Sequence, residues 1–194
     1  HAPYVAKKDQ TLAEISLEDR TGSMIEYGWR VNKAHFSSTS PHLFVYHRVS
    51  GTAHGYDSID PHWRQYDTVY WPGMPLPSSL TGSSVPAGAV IDTHGNWWLW
   101  LGDRWLGYFE ATTWSTPSFS EARIARRYGE VASRNGIPPQ TDMGNGQHGA
   151  GGTDPATIDS PSVRLGSSWS FVSAGDMNQF QTNAFYYTID LDTT

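Results

Sequence analysis

The sequence predicts an all-β fold, an antiparallel β-sandwich, and two observations carry that expectation. Short segments of alternating apolar and polar residues are broken throughout by clusters of Gly, Pro, Ser and Thr, the pattern of strands joined by turns. No stretch sustains the 3.6-residue periodicity of a long amphipathic helix. In chain order, strands are expected at Leu12 to Glu18, Met24 to Asn32, Leu43 to Val49, Ala89 to Thr93, Trp97 to Leu101, Trp105 to Phe109, Ala122 to Ala132, Val163 to Val172 and Ala184 to Leu191. The stretch Glu121 to Ala132 contains good helix formers, but Gly129 and its β-branched flank favour a strand. Two long connections separate these elements. Ser50 to Gly88 is rich in aromatics around His62 to Pro75, as binding loops often are, whereas Asn135 to Pro161 is glycine-dense and reads as a surface excursion.

A chain of 194 residues with 38% hydrophobic and 16% charged content fits one domain, residues 1–194, with a real core. The net charge of -6 argues against nucleic acid, whose phosphates require clustered Lys and Arg. No apolar run approaches the roughly 18 residues of a membrane-spanning helix. The absence of cysteine removes disulfides, thiolate metal sites and cysteine nucleophiles. A lysine-poor, tryptophan-rich composition favours a secreted protein with an acid-tolerant surface, a monomer is expected, and a chain opening on His1 is expected to be a processed one.

Alternation along each strand sorts side chains into faces. Val163, Leu165, Trp169 and Phe171 are expected in the core, as are Phe185, Tyr187, Ile189 and Leu191. Trp97, Leu99 and Leu101 form another core set, which turns Trp98 and Trp100 outward, and Tyr46 alternates with Val45 in the same way. Two glutamates break the pattern. Glu26 lies in SMIEYGWRV (Ser23 to Val31) and Glu130 in RRYGEVAS (Arg126 to Ser133), each a carboxylate in an otherwise apolar or aromatic strand. Such a residue is disfavoured in a strand and costly to bury alone. Gly28 and Arg30 share a face with Glu26, and Tyr128 shares one with Glu130. The economical assembly is a cleft on one sheet, floored by Glu26 and Glu130 and walled by Tyr46, Trp98, Trp100 and Tyr128. Plain structural pairing of Glu26 with Arg30, and of Glu130 with Arg126 or Arg127, would account for the same residues at about 0.2 to 1 kcal/mol per pair.

Five segments in chain order, SMIEYGWRV, LFVYHRVSG (Leu43 to Gly51), HGNWWLWLGDRWLGYF (His94 to Phe109), RRYGEVAS and TDMGNGQ (Thr141 to Gln147), together resemble segments of the neprosin family of glutamic peptidases. SMIEYGWRV is similar to that family's Ile-Glu-Ala-Gly-Trp-Gln-Val, and LFVYHRVSG (Leu43 to Gly51) to its Phe-Thr-Tyr-Trp strand. HGNWWLWLGDRWLGYF (His94 to Phe109) resembles its His-Gly-Asn-Trp-Trp-Leu stretch followed by Gly-Tyr. RRYGEVAS resembles Trp-Gly-Gly-Glu-Val, and TDMGNGQ (Thr141 to Gln147) resembles Thr-x-Met-Gly-Ser-Gly. The resemblance implies a β-sandwich, a peptide or protein substrate, and Glu26 and Glu130 as the catalytic pair, with cleavage after proline as in plant members. Departures are the missing cysteine pair, a different region from His54 to Pro75, and Tyr27 in place of Ala.

Two neighbouring carboxyls would share a proton over part of the acidic range, one activating water and the other polarising the carbonyl. Glu130 is taken as the base and Glu26 as the acid, with Tyr46 or Gln147 as donor to the oxyanion. No cofactor and no metal are expected: HExxH does not occur, and His47 and His54 lie seven apart in strand and loop. GxSxG is also missing, so a serine triad has no support. A β-sandwich glycoside hydrolase with paired carboxylates, or a carbohydrate-binding module stacking sugar on tryptophan, remains open on the residues alone.

Overall fold

The computed structural model describes residues 5–77, 80, 84–114, 118–134, 138–144, 146–147 and 156–182. Among these the strands in chain order are β1 (Asp9–Glu18), β2 (Met24–Val31), β3 (His42–Val49), β4 (Thr52–Tyr56), β5 (Trp63–Gln65), β6 (Ala87–Ile91), β7 (Trp97–Leu101), β8 (Arg104–Phe109), β9 (Ile124–Ser133), β10 (Ser162–Leu165) and β11 (Ser168–Phe171). They form a five-stranded sheet of order β4-β3-β2-β1-β9, a four-stranded sheet of order β5-β8-β7-β6 and the β10-β11 hairpin. Every pairing is antiparallel, so the fold is the expected all-β sandwich and no sheet closes into a barrel. One helical turn, α1 (Lys33–Phe36), follows β2; Asn32 caps it by accepting from the His35 backbone N–H at 3.0 Å.

The core lies between the two large sheets. Ile25, Tyr27, Leu43 and Val45 face Trp97, Leu99, Leu106 and Phe109, and Trp63, Trp114 and Phe119 close the layer. Alternation explains the selection, because each of these residues has a neighbour in its strand that points the other way. Fully burying one such side chain stabilises the fold by roughly 1.5–3 kcal/mol. The Trp97 indole N–H also finds the Phe119 carbonyl at 2.7 Å, so its polar atom is not stranded in the core.

Within the stretch from Glu121 to Ala132 the chain enters strand β9 at Ile124, and β9 is antiparallel to β1 along its whole length. The connection Ser50 to Gly88 carries β4 and β5 as well as irregular chain. One strand assignment requires correction. Val163 to Val172 is not a single core strand but the hairpin β10-β11, broken at Gly166 by a left-handed φ of 64°. Trp169 and Phe171, expected in the core, are 51% and 66% exposed. The expected strand Ala184 to Leu191 lies outside the described residues.

Candidate functional site

The face of the five-stranded sheet turned away from the core carries the carboxyls. Register fixes their order. Across β9, β1 and β2, Glu130 lies beside Leu12 and Arg30, Tyr128 beside Glu14 and Gly28, and Arg126 beside Ser16 and Glu26. The last row continues through Tyr46 on β3 to Tyr56 on β4. Glu26 and Glu130 therefore share a face, but they sit two rows apart, on a diagonal whose middle row holds Glu14 and Tyr128.

Glu14 is the residue that the sequence reading passed over. It has the same anomaly as the other two, a carboxylate inside a strand, yet in LAEISLE it alternates with Ser16 and Glu18 like an ordinary solvent-facing residue. In the folded chain it is only 6% exposed, and its Oε2 has no hydrogen-bond partner among the described residues. Burial, then the charges of Glu26 and Glu130, push its carboxyl up to about 8 despite a hydrogen bond with Tyr128. It carries a proton at neutral and acidic pH.

Tyr128 joins the rows. Its hydroxyl donates to Glu26 Oε1 at 2.7 Å, and burial followed by the charges of Glu14 and Glu26 raises its own pKa, so it stays a phenol and a donor. Burial raises the Glu26 carboxyl; the Tyr128 hydrogen bond opposes that, the charge of Glu130 adds to it, and Arg48 and Arg126 oppose it, leaving a net rise. Burial alone raises Glu130.

The arginines that would have made these glutamates ordinary ion pairs are committed elsewhere. Arg30 bonds Asp57 at 2.6 Å, Arg126 bonds Glu18 at 2.7 Å, and Arg127 donates to the Ser162 carbonyl at 2.9 Å. Glu18 also takes Arg48 at 3.1 Å. Structural pairing of Glu26 and Glu130 with arginine is thereby removed as their explanation.

The aromatic wall differs from the expected one. Tyr46 is in place next to Glu26, and its ring stacks on Tyr56 with centroids 4.6 Å apart. Trp98 and Trp100 are on β7, in the other sheet, and alternate with the buried Trp97 and Leu99. They point away from the core on the opposite side of the sandwich, where Trp98 stacks on Tyr108 and Trp100 meets Trp105 edge to face. Alternation assigned these tryptophans correctly to an outward face but could not say of which sheet. Tyr56, 47% exposed, takes their place in the wall. Gln147 is exposed on the chain that follows Thr141, and the Thr141 hydroxyl ties that chain to the start of β1 by donating to Asp9 at 2.9 Å.

The family model described as Neprosin matches residues 7–194, nearly the whole chain. The chain belongs to the neprosin family. Peptidase activity is what that family is known for, so the neprosin fold here is read as that of a hydrolase acting on peptides. The matched range contains β1 to β11, and with them Glu14, Glu26, Tyr128 and Glu130.

Proposed function

We propose that the protein is a glutamic endopeptidase in which carboxyls on the outer face of the five-stranded sheet activate water. The observation that carries this reading is the set Glu14, Glu26 and Glu130 on one sheet face, each with a raised pKa and none neutralised by an arginine contact, with Tyr128 linking Glu14 to Glu26. A strand face that held these groups for stability alone would pair them.

The hydrogen bond from Tyr128 favours the ionised form of Glu26, which supports Glu26 as the base, the reverse of the assignment expected from sequence. Glu26 takes a proton from water as the oxygen attacks the scissile carbonyl carbon. Glu130, whose anion burial disfavours and which gains no hydrogen bond like that of Glu26, serves as the acid and donates to the developing oxyanion. When the tetrahedral intermediate collapses, the proton on Glu26 passes to the leaving amine and Glu130 recovers its own, so one water and one peptide bond give an acid and an amine. Glu14, neutral up to about pH 8, keeps a third negative charge out of the site and holds Tyr128 in line. Raised carboxyl pKa values support an activity optimum in the weakly acidic range.

The stacked Tyr46 and Tyr56 rings beside Glu26 are suited to the flat pyrrolidine ring, which supports cleavage after proline. A fluorogenic peptide series that varies the residue before the scissile bond is the test. Faster turnover of the proline peptide by wild type, reduced in Tyr56→Ala, is expected. Equal turnover of all peptides would remove the preference, and release of reducing sugar from glycans without peptide cleavage would replace the reading by a glycoside hydrolase.

A further inference from the structure

On the core side of β3, at the corner where the two sheets meet, three histidines gather that are far apart in kind. His47 is buried in β3, His54 is exposed in β4 and His62 lies just before β5, and one ring nitrogen from each falls within 4.8 Å of the others. Their rings are in contact: His47 and His54 stack with centroids 5.2 Å apart, and His62 meets His47 edge-on at 5.2 Å.

The backbone is bent to bring them together. β3 and β4 pair His47 with Gly55 but Arg48 with Ala53, so His54 is the extra residue of a β-bulge. A bulge re-aims one side chain out of the alternation, and here it turns His54 onto the His47 face. After β4 the chain reverses at Asp57, whose φ is 57°, and Asp60 follows at its end. Asp60 is fully buried and orders the group. His47 Nδ1 is 2.5 Å from its Oδ2, and Oδ1 accepts from the His62 backbone N–H at 2.9 Å. Gly55 makes this possible, because a Cβ there would come within 3.0 Å of the Asp60 carboxylate.

An ionised carboxylate only accepts, so His47 Nδ1 carries a hydrogen and Nε2 is the ring nitrogen left to act as a metal ligand. That Nε2 is buried and has no hydrogen-bond partner among the described residues; His62 Nδ1 makes no hydrogen bond there either, although it lies 3.5 Å from Asp60 Oδ1. Two orphaned ring nitrogens in one corner call for a water or an ion. A carboxylate fixing the tautomer of a histidine is the arrangement that supports metal-bound imidazole, and imidazole suits zinc-like ions.

We propose that His47, His54 and His62 bind a divalent transition ion of the zinc class, with Asp60 orienting His47, and that the ion pins the β4 edge of one sheet to the start of β5 in the other. Half-exposed His62 and exposed His54 provide the route of entry. Ligand nitrogens around tetrahedral zinc stand about 3.3 Å apart for a Zn–N bond of about 2.0 Å, so the three rings, whose nitrogens lie within 4.8 Å of one another, need only draw slightly together around an ion. The site is on the opposite side of the sheet from the glutamates and does not depend on their role.

Zinc titration of the full chain near neutral pH, by calorimetry with a metal-chelator competition, tests this. Wild type and His94→Ala, which removes an exposed histidine elsewhere, are expected to bind one equivalent equally. His54→Ala, a surface change that should leave the metal-free melt as in wild type, is expected to weaken binding about 100-fold, and Asp60→Asn about 10-fold or more. Co2+ is expected to give tetrahedral visible bands in wild type that vanish in His54→Ala, and saturating Zn2+ to raise the wild-type melting temperature by about 5 °C. No stoichiometric zinc binding by wild type, or binding unchanged in His54→Ala, would overturn the site.

Discussion

The two outer faces of the sandwich treat polar groups in opposite ways, and a pair of carboxylates shows the difference. On the tryptophan face, Asp92 accepts from the backbone N–H groups of His94 and Asn96, the Asn96 amide and the Trp98 indole, at 2.8 to 3.0 Å. Burial works to raise its pKa, but those four donors outweigh it and hold the carboxyl down to about 2. On the other face, Glu14 is buried with one oxygen unmatched among the described residues and two more glutamates nearby, and its carboxyl is pushed up to about 8. A satisfied carboxylate is structure; an unsatisfied cluster of them is strain kept in one place. Folds retain such strain at working sites.

The largest expected effect is on the carboxyl face itself. Glu26→Gln and Glu130→Gln should each lower kcat/KM for a peptide substrate by about 10^3-fold, the range of positioned general acid–base groups. The double variant should fall little further, because residues acting as one unit are not additive. Initial rates on one fluorogenic peptide measure both, and full additivity would mean that the two glutamates do not act together.

The next effect is on stability against pH. Between about pH 4.5 and 8 the native Glu14 keeps a proton that the unfolded chain has lost, so stability is complete below 4.5 and falls as pH rises towards 8. At ~1.4 kcal/mol per pH unit the loss amounts to several kcal/mol. Glu14→Gln should remove most of this slope and melt above wild type at pH 8.5, as followed by circular dichroism. Asp92 has the opposite sign: its contribution is present above its ordinary 3.8 and is lost as pH falls through about 2. Asp92→Asn should therefore cost stability at neutral pH and close on wild type only in strong acid.

Tyr128→Phe is expected to be milder, about 10- to 100-fold in kcat for one lost charge-assisted hydrogen bond, ~1.5–3 kcal/mol. Without the donor the Glu26 carboxyl rises further, so the acidic limb of the pH–rate profile should move to higher pH. An unmoved limb would take Glu26 out of the role of base. The smallest effect belongs to the tryptophan face, where Trp98→Ala should change peptidase rates less than about twofold while lowering the melting temperature modestly through its lost stacking on Tyr108. A large rate loss in that variant would break the separation of the two faces.

Much of this was legible in the sequence, and the unread parts share a cause. Alternation correctly put Gly28 and Arg30 on the face of Glu26, and it grouped Tyr128 with Glu130. It is a rule within one strand, however, and carries no information about which strands pair. Trp98 was thus drawn into a cleft that belongs to the other sheet, and Glu14, regular in its own strand, became unusual only once β1 lay between β2 and β9. Val163 to Val172 alternates well enough for one strand, and only the turn at Gly166 divides it. The histidines were hidden for the same reason. His54 reaches the His47 face through a bulge, which breaks alternation, and His62 arrives from a different sheet.

The most direct measurement of the central claim is digestion of a denatured protein at weakly acidic pH in 18O-labelled water by wild type, Glu26→Gln and Glu130→Gln. Mass spectrometry then reads both the new product termini and the enzyme's own glutamate-containing peptides. Glutamate-activated water predicts one 18O in each new carboxylate from wild type, none in the side chains of Glu26 or Glu130, and no products above background from either variant. Label incorporated into either glutamate, or cleavage by both variants at wild-type rate, would contradict it.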